Sequence, residues 1–303
     1  MSVDFCGLEL SHPIINASGT FDLLAADTAF GASLRAEFPF AAFVSKTITL
    51  APRAGNPPPR LWESPAGLVN SIGLPNKGLA GYLAHDLPAL SSLLAEVDAP
   101  LITNVMGATA AEIARLLEVC QAQMQIAAVE LNVSCPNVKT GLDIGADPKQ
   151  LEAVVREVRS RLAKPLIVKL TPNTADVATC AAAAEAGGAD AVSLINTLRA
   201  MALAPAGHSE SPWLGGGTGG LSGPAIRPVA LAQVAAVASR VSIPVVGMGG
   251  VQSARHAQDL LDVGATLVAV GTQSFRDPLA GRRVALGLAA AGPKSPVSLR
   301  ASL

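Results

Sequence analysis

The sequence contains few aromatic and few charged residues. Aromatic residues make up 3% of the 303 positions and charged residues 15%, and the formal net charge is −1. Surfaces that bind nucleic acids use aromatic side chains to stack on bases and clustered basic side chains to contact phosphates. We therefore expect no nucleic-acid partner.

Long hydrophobic runs are also absent, although half of the residues are hydrophobic. The mean hydropathy is +0.41, yet no stretch reaches the roughly 18 apolar residues that a membrane-spanning helix needs. The first residues, "MSVDFCGLEL", lack the basic segment of a signal peptide. Hydrophobic residues spread along the whole chain are typical of a large buried core. We expect a cytoplasmic protein without membrane contact.

Cysteine and histidine are scarce, with four of each, and they are scattered. No two cysteines form a CxxC pair and no two histidines have the spacing of metal ligands, so we expect neither a bound metal nor an iron–sulfur cluster. Cys120 and Cys180 fall in helical stretches, where a thiol usually acts as a small buried apolar group.

Short β-rich runs alternate with helical stretches along the chain. The helical stretches include residues 147–163, which begin with the helix-start signal Asp147-Pro148, and residues 227–241 and 253–265. The candidate strands are residues 13–18, 42–47, 100–105, 127–134, 165–170, 190–196, 243–250 and 266–272. Eight parallel βα units in about 300 residues favour a (β/α)₈ TIM barrel. A doubly wound open sheet is the second interpretation, weakened because no GxGxxG follows the first strand.

Two connections are longer than a minimal barrel needs. Residues 48–78 are rich in proline, and residues 197–222 are rich in glycine. They follow strands 2 and 6, at the carboxyl ends where barrel enzymes build their sites. Long loops in a compact domain are usually functional. We predict an α/β protein, one TIM-barrel domain over residues 1–303, with long insertions after strands 2 and 6.

Polar residues end several of the apolar strands. In "ELNVSCPN" (130–137), the alternation of a barrel strand directs Glu130, Asn132 and Ser134 toward the barrel axis, with Cys135 just beyond. Lys169 lies inside "PLIVKL", where both faces of the strand are covered, so one interpretation is a buried pair with Glu130 that is compatible with a functional role. Other runs end at Ser18, Lys46, Asn104 and Asn196.

The seventh and eighth strands end in "GMGGVQS" and "VGTQS". Glycines at these two places let backbone N–H groups approach a phosphate, and Ser253 is placed to cap the next helix. A lysine beside a phosphate site fits a Schiff-base aldolase, or a cation at the carbonyl edge of a flavin. The residues themselves leave both chemistries open, together with a noncatalytic binding protein.

Ten motifs occur in the order found in one enzyme family. They are "NASGTF", "SKTIT", "GNPPPR", "NSIGLPN", "ELNVSCPNVK", "VKLTPN", "INTL", "GGLSGPAI", "GMGGV" and "AVGT". The chain resembles class 1 dihydroorotate dehydrogenases over nearly its whole length. "INTL" and "TGGLSGPAIRPVAL" look most like the NAD-linked 1B subtype, whereas residues 199–216 follow the family pattern poorly, so their role is open.

The resemblance implies an FMN-dependent oxidation of dihydroorotate to orotate in de novo UMP biosynthesis. Cys135 would be the catalytic base, and a hydride would pass to FMN. The implied FMN contacts are Ser18, Lys46, Thr47, Asn104, Asn132, Lys169, Ile195, Ser222, Gly223, Gly249, Gly250, Gly271 and Thr272. The implied substrate contacts are Lys46, Asn70, Ser71, Ile72, Gly73, Leu74, Asn132, Asn137, Asn196 and Thr197.

The resemblance also implies partners. They are a second copy of the chain in a homodimer and a separate electron-transfer subunit carrying FAD and an iron–sulfur cluster. Two alternatives belong to related flavin enzymes. One is a dehydrogenase or reductase of another pyrimidine, similar to dihydropyrimidine dehydrogenase, and the other is a class 1A enzyme that passes its electrons to fumarate.

Overall fold

The computed structural model describes residues 2–133, 144–204 and 211–292. Its strands are, in chain order, β1 (Val3–Phe5), β2 (Leu8–Leu10), β3 (Ile14–Asn16), β4 (Phe43–Val44), β5 (Leu61–Ser64), β6 (Gly67–Asn70), β7 (Leu101–Val105), β8 (Ile126–Asn132), β9 (Leu166–Lys169), β10 (Ala191–Leu194), β11 (Leu198–Ala200), β12 (Gly219–Ser222), β13 (Val245–Met248) and β14 (Leu267–Val270).

The α-helices of the same ranges are α1 (Leu23–Phe30), α2 (Ala32–Ala36), α3 (Gly78–Gly81), α4 (Leu87–Glu96), α5 (Ala110–Ala122), α6 (Pro148–Arg159), α7 (Val177–Ala186), α8 (Arg227–Arg240), α9 (Ala254–Asp262) and α10 (Ala280–Ala291). A π-helical turn, Tyr82–Asp86, joins α3 to α4. Short 3₁₀ helices are Ile144–Ala146, Pro224–Ile226 and Thr272–Phe275.

Eight of these strands form the parallel sheet of a (β/α)₈ barrel. Their order is β3-β14-β13-β10-β9-β8-β7-β4, so each strand neighbours the one before or after it in the barrel sequence, and the first pairs with the last. A doubly wound sheet would reverse its order partway along, so that second interpretation is wrong. Each of the eight barrel strands lies within or overlaps a predicted strand, and the barrel prediction is confirmed.

The first and second barrel strands meet through a side chain. The Nδ2 atom of Asn16 donates to the carbonyl of Val44 at 2.7 Å, and the amide of Val44 donates to Oδ1 of Asn16 at 2.7 Å. One backbone bond, from the amide of Ala41 to the carbonyl of Ile14 at 2.9 Å, lies beside this contact. The barrel therefore closes at β3 and β4 by way of a buried asparagine.

Two apolar layers pack against the barrel strands, one between the strands and the outer helices and one inside the barrel. Val129 and Leu131 face the outer helices, in a core shared with Leu151 and Val155 of α6. Inside the barrel, small and branched side chains fill the space, and the β1–β2 hairpin closes its amino end with the fully buried Phe5. The alternation predicted for the strand at 127–134 is therefore confirmed for its described residues.

The predicted helix starts are confirmed by their caps. The carboxylate of Asp147 accepts from the backbone N–H groups of residues 149 and 150 at the start of α6. The hydroxyl of Ser253 accepts from the N–H of His256 at the start of α9. The predicted helix at 147–163 ends earlier, at Arg159, and Ser160 follows as its C-cap.

The two long connections pair with each other. Strands β5 and β6 come from the first, β11 and β12 lie in the second, and together they form an antiparallel sheet in the order β11-β12-β6-β5. Gly220 of β12 is opposite Asn70 of β6. Residues of this sheet share a cavity with the carboxyl ends of the barrel strands. None of the helices in the described ranges has the length and hydropathy to cross a bilayer.

Candidate active site

A cavity of about 410 Å³ opens between the carboxyl ends of the barrel strands and the four-stranded sheet. The strand ends contribute Lys46, Asn132 and Lys169, and the sheet contributes Leu61, Leu68 and Asn70. In an α/β barrel this is the end where catalytic groups lie.

Most residues predicted to contact the cofactor lie on the cavity wall. They are Ser18, Lys46, Thr47, Asn132, Lys169, Ile195, Ser222, Gly223, Gly249, Gly250, Gly271 and Thr272. Asn104 does not reach the wall, because it is fully buried on β7 and turned toward β8. The structure therefore brings together residues from distant parts of the chain, including both glycine-rich strand ends.

The residues predicted to contact the substrate divide into three groups. Lys46, Asn70, Ile72, Leu74, Asn132, Asn196 and Thr197 line the cavity. Ser71 and Gly73 lie outside the wall, and the Ser71 hydroxyl donates to the carbonyl of Thr218 at 2.8 Å and accepts from Asn56 at 3.0 Å. Cys135 and Asn137, with Ser134, fall outside the described residues.

A buried polar cluster lies behind the wall, centred on the carboxylate of Glu130. Its Oε1 is 3.7 Å from the ammonium of Lys169 and accepts from the Nδ2 of Asn104 at 2.5 Å. Its Oε2 accepts from the hydroxyl of Ser193 at 2.9 Å. The register of the strands brings these four side chains together, because Asn104 of β7 pairs with Glu130 of β8 and Ser193 of β10 pairs with Lys169 of β9. The predicted Lys169–Glu130 pair is confirmed.

The glycine-rich end of the seventh strand leaves no room for side chains. A Cβ atom on Gly249, whose φ is +136°, would lie 2.6 Å from Cβ of Ala230, and one on Gly250, whose φ is +69°, would lie 2.8 Å from Cβ of Arg227. The backbone therefore forms the wall here, as an anion site requires. Nearby, the hydroxyl of Thr272 donates to that of Ser222 at 2.8 Å.

The residues present fit a flavin nucleotide. Backbone groups and hydroxyls at one end suit a phosphate, while lysine and asparagine side chains suit a polar ring with carbonyl and N–H groups. In addition, the Oδ1 atom of Asn104 is buried and has no hydrogen-bond partner within the described part of the chain. A buried acceptor without a partner is costly, and this one lies behind the cavity wall, beside Glu130. Within the described ranges, no cluster of His, Cys, Asp or Glu is suited to a metal ion.

His256 lies next to the glycine-rich end of the site. Its Nδ1 accepts from the backbone N–H of Gln252 at 3.3 Å. Burial, and then the nearby Arg227 guanidinium, lower the pKa of His256 below its ordinary value. The lowered pKa makes the imidazole less often protonated at neutral pH than an ordinary histidine.

The rim of the cavity carries residues that were not predicted. Leu61 is 53% exposed and Phe275 is 60% exposed, and both line the opening. Beside them, Arg276 forms an ion pair with Glu63 at 2.5 Å. Their only sequence signal was position, since Leu61 falls in the first long connection and Phe275 follows the eighth strand.

The fold is that of an α/β-barrel enzyme, and the cavity lies at the carboxyl ends of its strands, where such enzymes build their sites. A family model described as "Dihydroorotate dehydrogenase" matches residues 1–291. The chain belongs to the dihydroorotate dehydrogenase family.

Similar proteins bear a more specific name. The chain is 44% identical to the "Dihydroorotate dehydrogenase B (NAD(+)), catalytic subunit" of Desulforudis audaxviator, over 95% of this chain and 91% of that protein. It is 43% identical to the protein of the same name from Geotalea daltonii, over 95% of this chain and 92% of that protein. The match therefore includes the barrel and both long connections.

Proposed function

We propose that this chain is the catalytic subunit of a class 1B dihydroorotate dehydrogenase, which oxidises dihydroorotate to orotate in pyrimidine biosynthesis. The observation that carries the proposal is the cavity wall, where two lysines and several amide side chains meet a glycine-lined end. Membership of the family supports the same activity. FMN, when bound, supplies the hydride acceptor for this reaction.

Desaturation of the pyrimidine ring removes a proton from C5 and a hydride from C6, and a C5=C6 double bond forms. In the proposal, Cys135 takes the C5 proton as general base. A thiol has an ordinary pKa of about 8.5, so only a small fraction is thiolate at neutral pH. Asn132, two residues after Glu130 and on the wall, holds the ring beside the base.

The negative charge and the amide groups of the proposed substrate complement the side chains on the cavity wall. Lys46 projects from the end of β4 with an exposed side chain, where an ammonium can bind the 6-carboxylate. Asn70, Asn132 and Asn196 line the same cavity and offer both donors and acceptors to the ring's alternating C=O and N–H groups. The proposed substrate is therefore a pyrimidine with a carboxylate, in preference to dihydrouracil.

The proposed assembly includes partners. The relatives are named as catalytic subunits of an NAD⁺-linked enzyme, which supports a separate subunit that carries FAD and an iron–sulfur cluster and passes electrons to NAD⁺. The exposed Leu61 and Phe275 at the opening suit a docking surface close to the flavin. We include a homodimer of this chain in the proposal, which light scattering on the purified protein tests.

The test begins with the colour of the purified protein. It should be yellow and release FMN on denaturation, and dihydroorotate should bleach the flavin anaerobically in a stopped-flow instrument. Dihydrouracil should bleach it at least about 10³-fold more slowly, because buried polar groups left without partners reject an analogue strongly. Equal rates with the two substrates would favour a different pyrimidine substrate, and a colourless protein trapped by borohydride with a carbonyl compound would indicate an aldolase.

A further inference from the structure

The carboxylate of Glu130 lies at the centre of the buried polar cluster behind the cavity wall, and it does not reach the cavity itself. It is 3% exposed, and its partners Asn104, Ser193 and Lys169 are 0%, 0% and 5% exposed. Of the four, Lys169 alone lines the cavity. A substitution at Glu130 therefore acts on a ligand through its neighbours.

Stability alone is a poor explanation for a carboxylate at this position. Moving both charges of a buried pair out of water costs free energy that their attraction often fails to recover, so apolar replacements are frequently as stable. The 3.7 Å separation between Oε1 and the Lys169 ammonium is also longer than that of a charge-assisted hydrogen bond. The shorter contacts of Glu130 are those to Asn104 and Ser193.

The contact with Asn104 determines which way that amide faces. An ionised carboxylate only accepts hydrogen bonds, so the 2.5 Å contact selects the Nδ2 atom of Asn104. The amide oxygen must then face away from Glu130, and it is the buried Oδ1 without a partner in the described ranges. Glu130 thereby fixes the orientation of the Asn104 amide behind the cavity wall.

The contact with Lys169 sets the charge at the wall. An ammonium beside a flavin stabilises the negative charge that the ring gains on reduction. A carboxylate 3.7 Å from that ammonium opposes this effect, because its field is weakly screened in a buried site. The pair therefore gives the ring a smaller positive field than Lys169 would give alone.

We propose that Glu130 is a positioning residue that orients the Asn104 amide behind the wall, and that by restraining the charge of Lys169 it tunes the reduction potential of the bound flavin. The inference rests on the proposed function, since it requires FMN in this cavity. It adds a role for a residue that touches neither substrate nor cofactor.

The test is the potential of bound FMN in the Glu130→Gln variant, measured by equilibration with a reference dye at about pH 6.5, where an ammonium is protonated. Glutamine keeps the size and one acceptor oxygen and removes the charge. The equilibrium constant for two-electron reduction should rise at least tenfold, which corresponds to a shift of about +30 mV. An unchanged or lower potential would overturn the proposal, even if the variant melts at a lower temperature.

Asp190→Asn is the matched control. Asp190 also pairs with a cation, since its Oδ2 is 3.0 Å from Arg159, and it also accepts from the backbone N–H of Leu166. It precedes β10 and so lies at the amino ends of the strands, away from the cavity. Its loss changes the net charge by the same amount, and the flavin potential should stay at the wild-type value.

Two further outcomes separate the proposals. If Glu130→Gln does not fold, the second variant is Ser193→Ala, which removes one hydroxyl that anchors the Glu130 carboxylate. FMN should then bind this variant about fivefold more weakly than it binds wild type. An affinity equal to that of wild type would overturn the role of Glu130. Wild-type protein without FMN overturns the proposed function together with this inference. Wild-type protein with FMN, and with a potential that Glu130→Gln does not raise, overturns this inference alone.

Discussion

Asn16 forms two hydrogen bonds with the backbone of Val44, one in each direction and each 2.7 Å long. The amide side chain thus imitates a neighbouring strand at the place where β3 and β4 close the barrel. Both groups of Val44 are buried, and so is the side chain of Asn16. This contact explains why the motif "NASGTF" begins with an amide at the end of an apolar strand.

Replacing Asn16 with Leu should reduce the free energy of unfolding by roughly 2–5 kcal/mol, because two buried backbone groups lose their partners. Urea unfolding followed by circular dichroism measures the change. Gln258→Leu is the control, since that amide donates one hydrogen bond to the carboxylate of Asp262 on the same helix, α9, and its loss should cost less than about 1 kcal/mol. Equal losses in the two variants would contradict the role assigned to Asn16.

Cys135→Ala should slow flavin reduction by dihydroorotate roughly 10²–10⁴-fold, which is the usual contribution of a general base. The wild-type rate should rise with pH toward about 8.5, as the thiolate forms, and FMN should stay bound in the variant. Cys120→Ala is the control, because burial raises the pKa of that thiol to about 12 and it lies on α5, away from the cavity. A variant at Cys135 that reduces flavin at the wild-type rate would remove it from the mechanism.

Lys46→Met should lower kcat/KM for dihydroorotate by roughly 10²–10³-fold, since the carboxylate loses its cation in a partly desolvated site. The value for dihydrouracil should change little, so discrimination between the two substrates should shrink. Lys77→Met is the control, because Lys77 is paired with Asp86 at 2.5 Å and is absent from the cavity wall. An equal loss for both substrates would show that Lys46 does not recognise the carboxylate.

The lone chain should transfer electrons from dihydroorotate to artificial dyes and show little NAD⁺ reduction until the electron-transfer subunit is added. Phe275→Asp should then weaken the affinity for that subunit more than tenfold, as expected for a central aromatic contact. Met124→Asp alters a 96% exposed apolar residue just before β8, at the other end of the barrel, and should leave the affinity unchanged. Brisk fumarate reduction by the lone chain would assign it to class 1A.

The stability of the fold should fall between about pH 7.5 and pH 5, with His12 as a main cause. Burial lowers the pKa of His12 from 6.5 to about 4, and its Nδ1 accepts from the N–H of Ile14 at 3.2 Å. Below pH 6.5 the unfolded chain takes up a proton at this residue that the folded chain does not, so acid favours unfolding by up to roughly 2 kcal/mol at pH 5. Urea titrations of His12→Gln should show a flatter pH dependence than those of wild type, and an unchanged dependence would contradict the role of His12.

Strand alternation was enough to predict the barrel and the inward direction of Glu130 and Asn132, because a parallel strand buried on both faces admits polar residues only for a reason. The Lys169–Glu130 pair was predicted because the two strands are adjacent and Lys169 lies in a strand covered on both faces. Strand alternation did not predict that Asn104 and Ser193 also contact the Glu130 carboxylate, because these contacts depend on the register between strands. Local patterns carry no information on such long-range register.

The long connections show a second limit. Their proline and glycine content marked them as unusual, but the pairing of Gly220 with Asn70 joins residues 150 positions apart, and neither stretch alternates strongly enough to read as a strand. The rim residues Leu61 and Phe275 were missed for the same reason, because exposure at a cavity opening follows from tertiary structure.

The β1–β2 hairpin closes the amino end of the barrel. Phe5 and Leu10 are buried at that end, whereas the cavity of the described part of the chain opens at the carboxyl ends of the strands, beside Leu61 and Phe275. The exposed Ser2 lies beside the sealed end. A protein immobilised through its amino terminus on an electrode or sensor chip therefore presents its open end to the solution, with the chemistry farthest from the support.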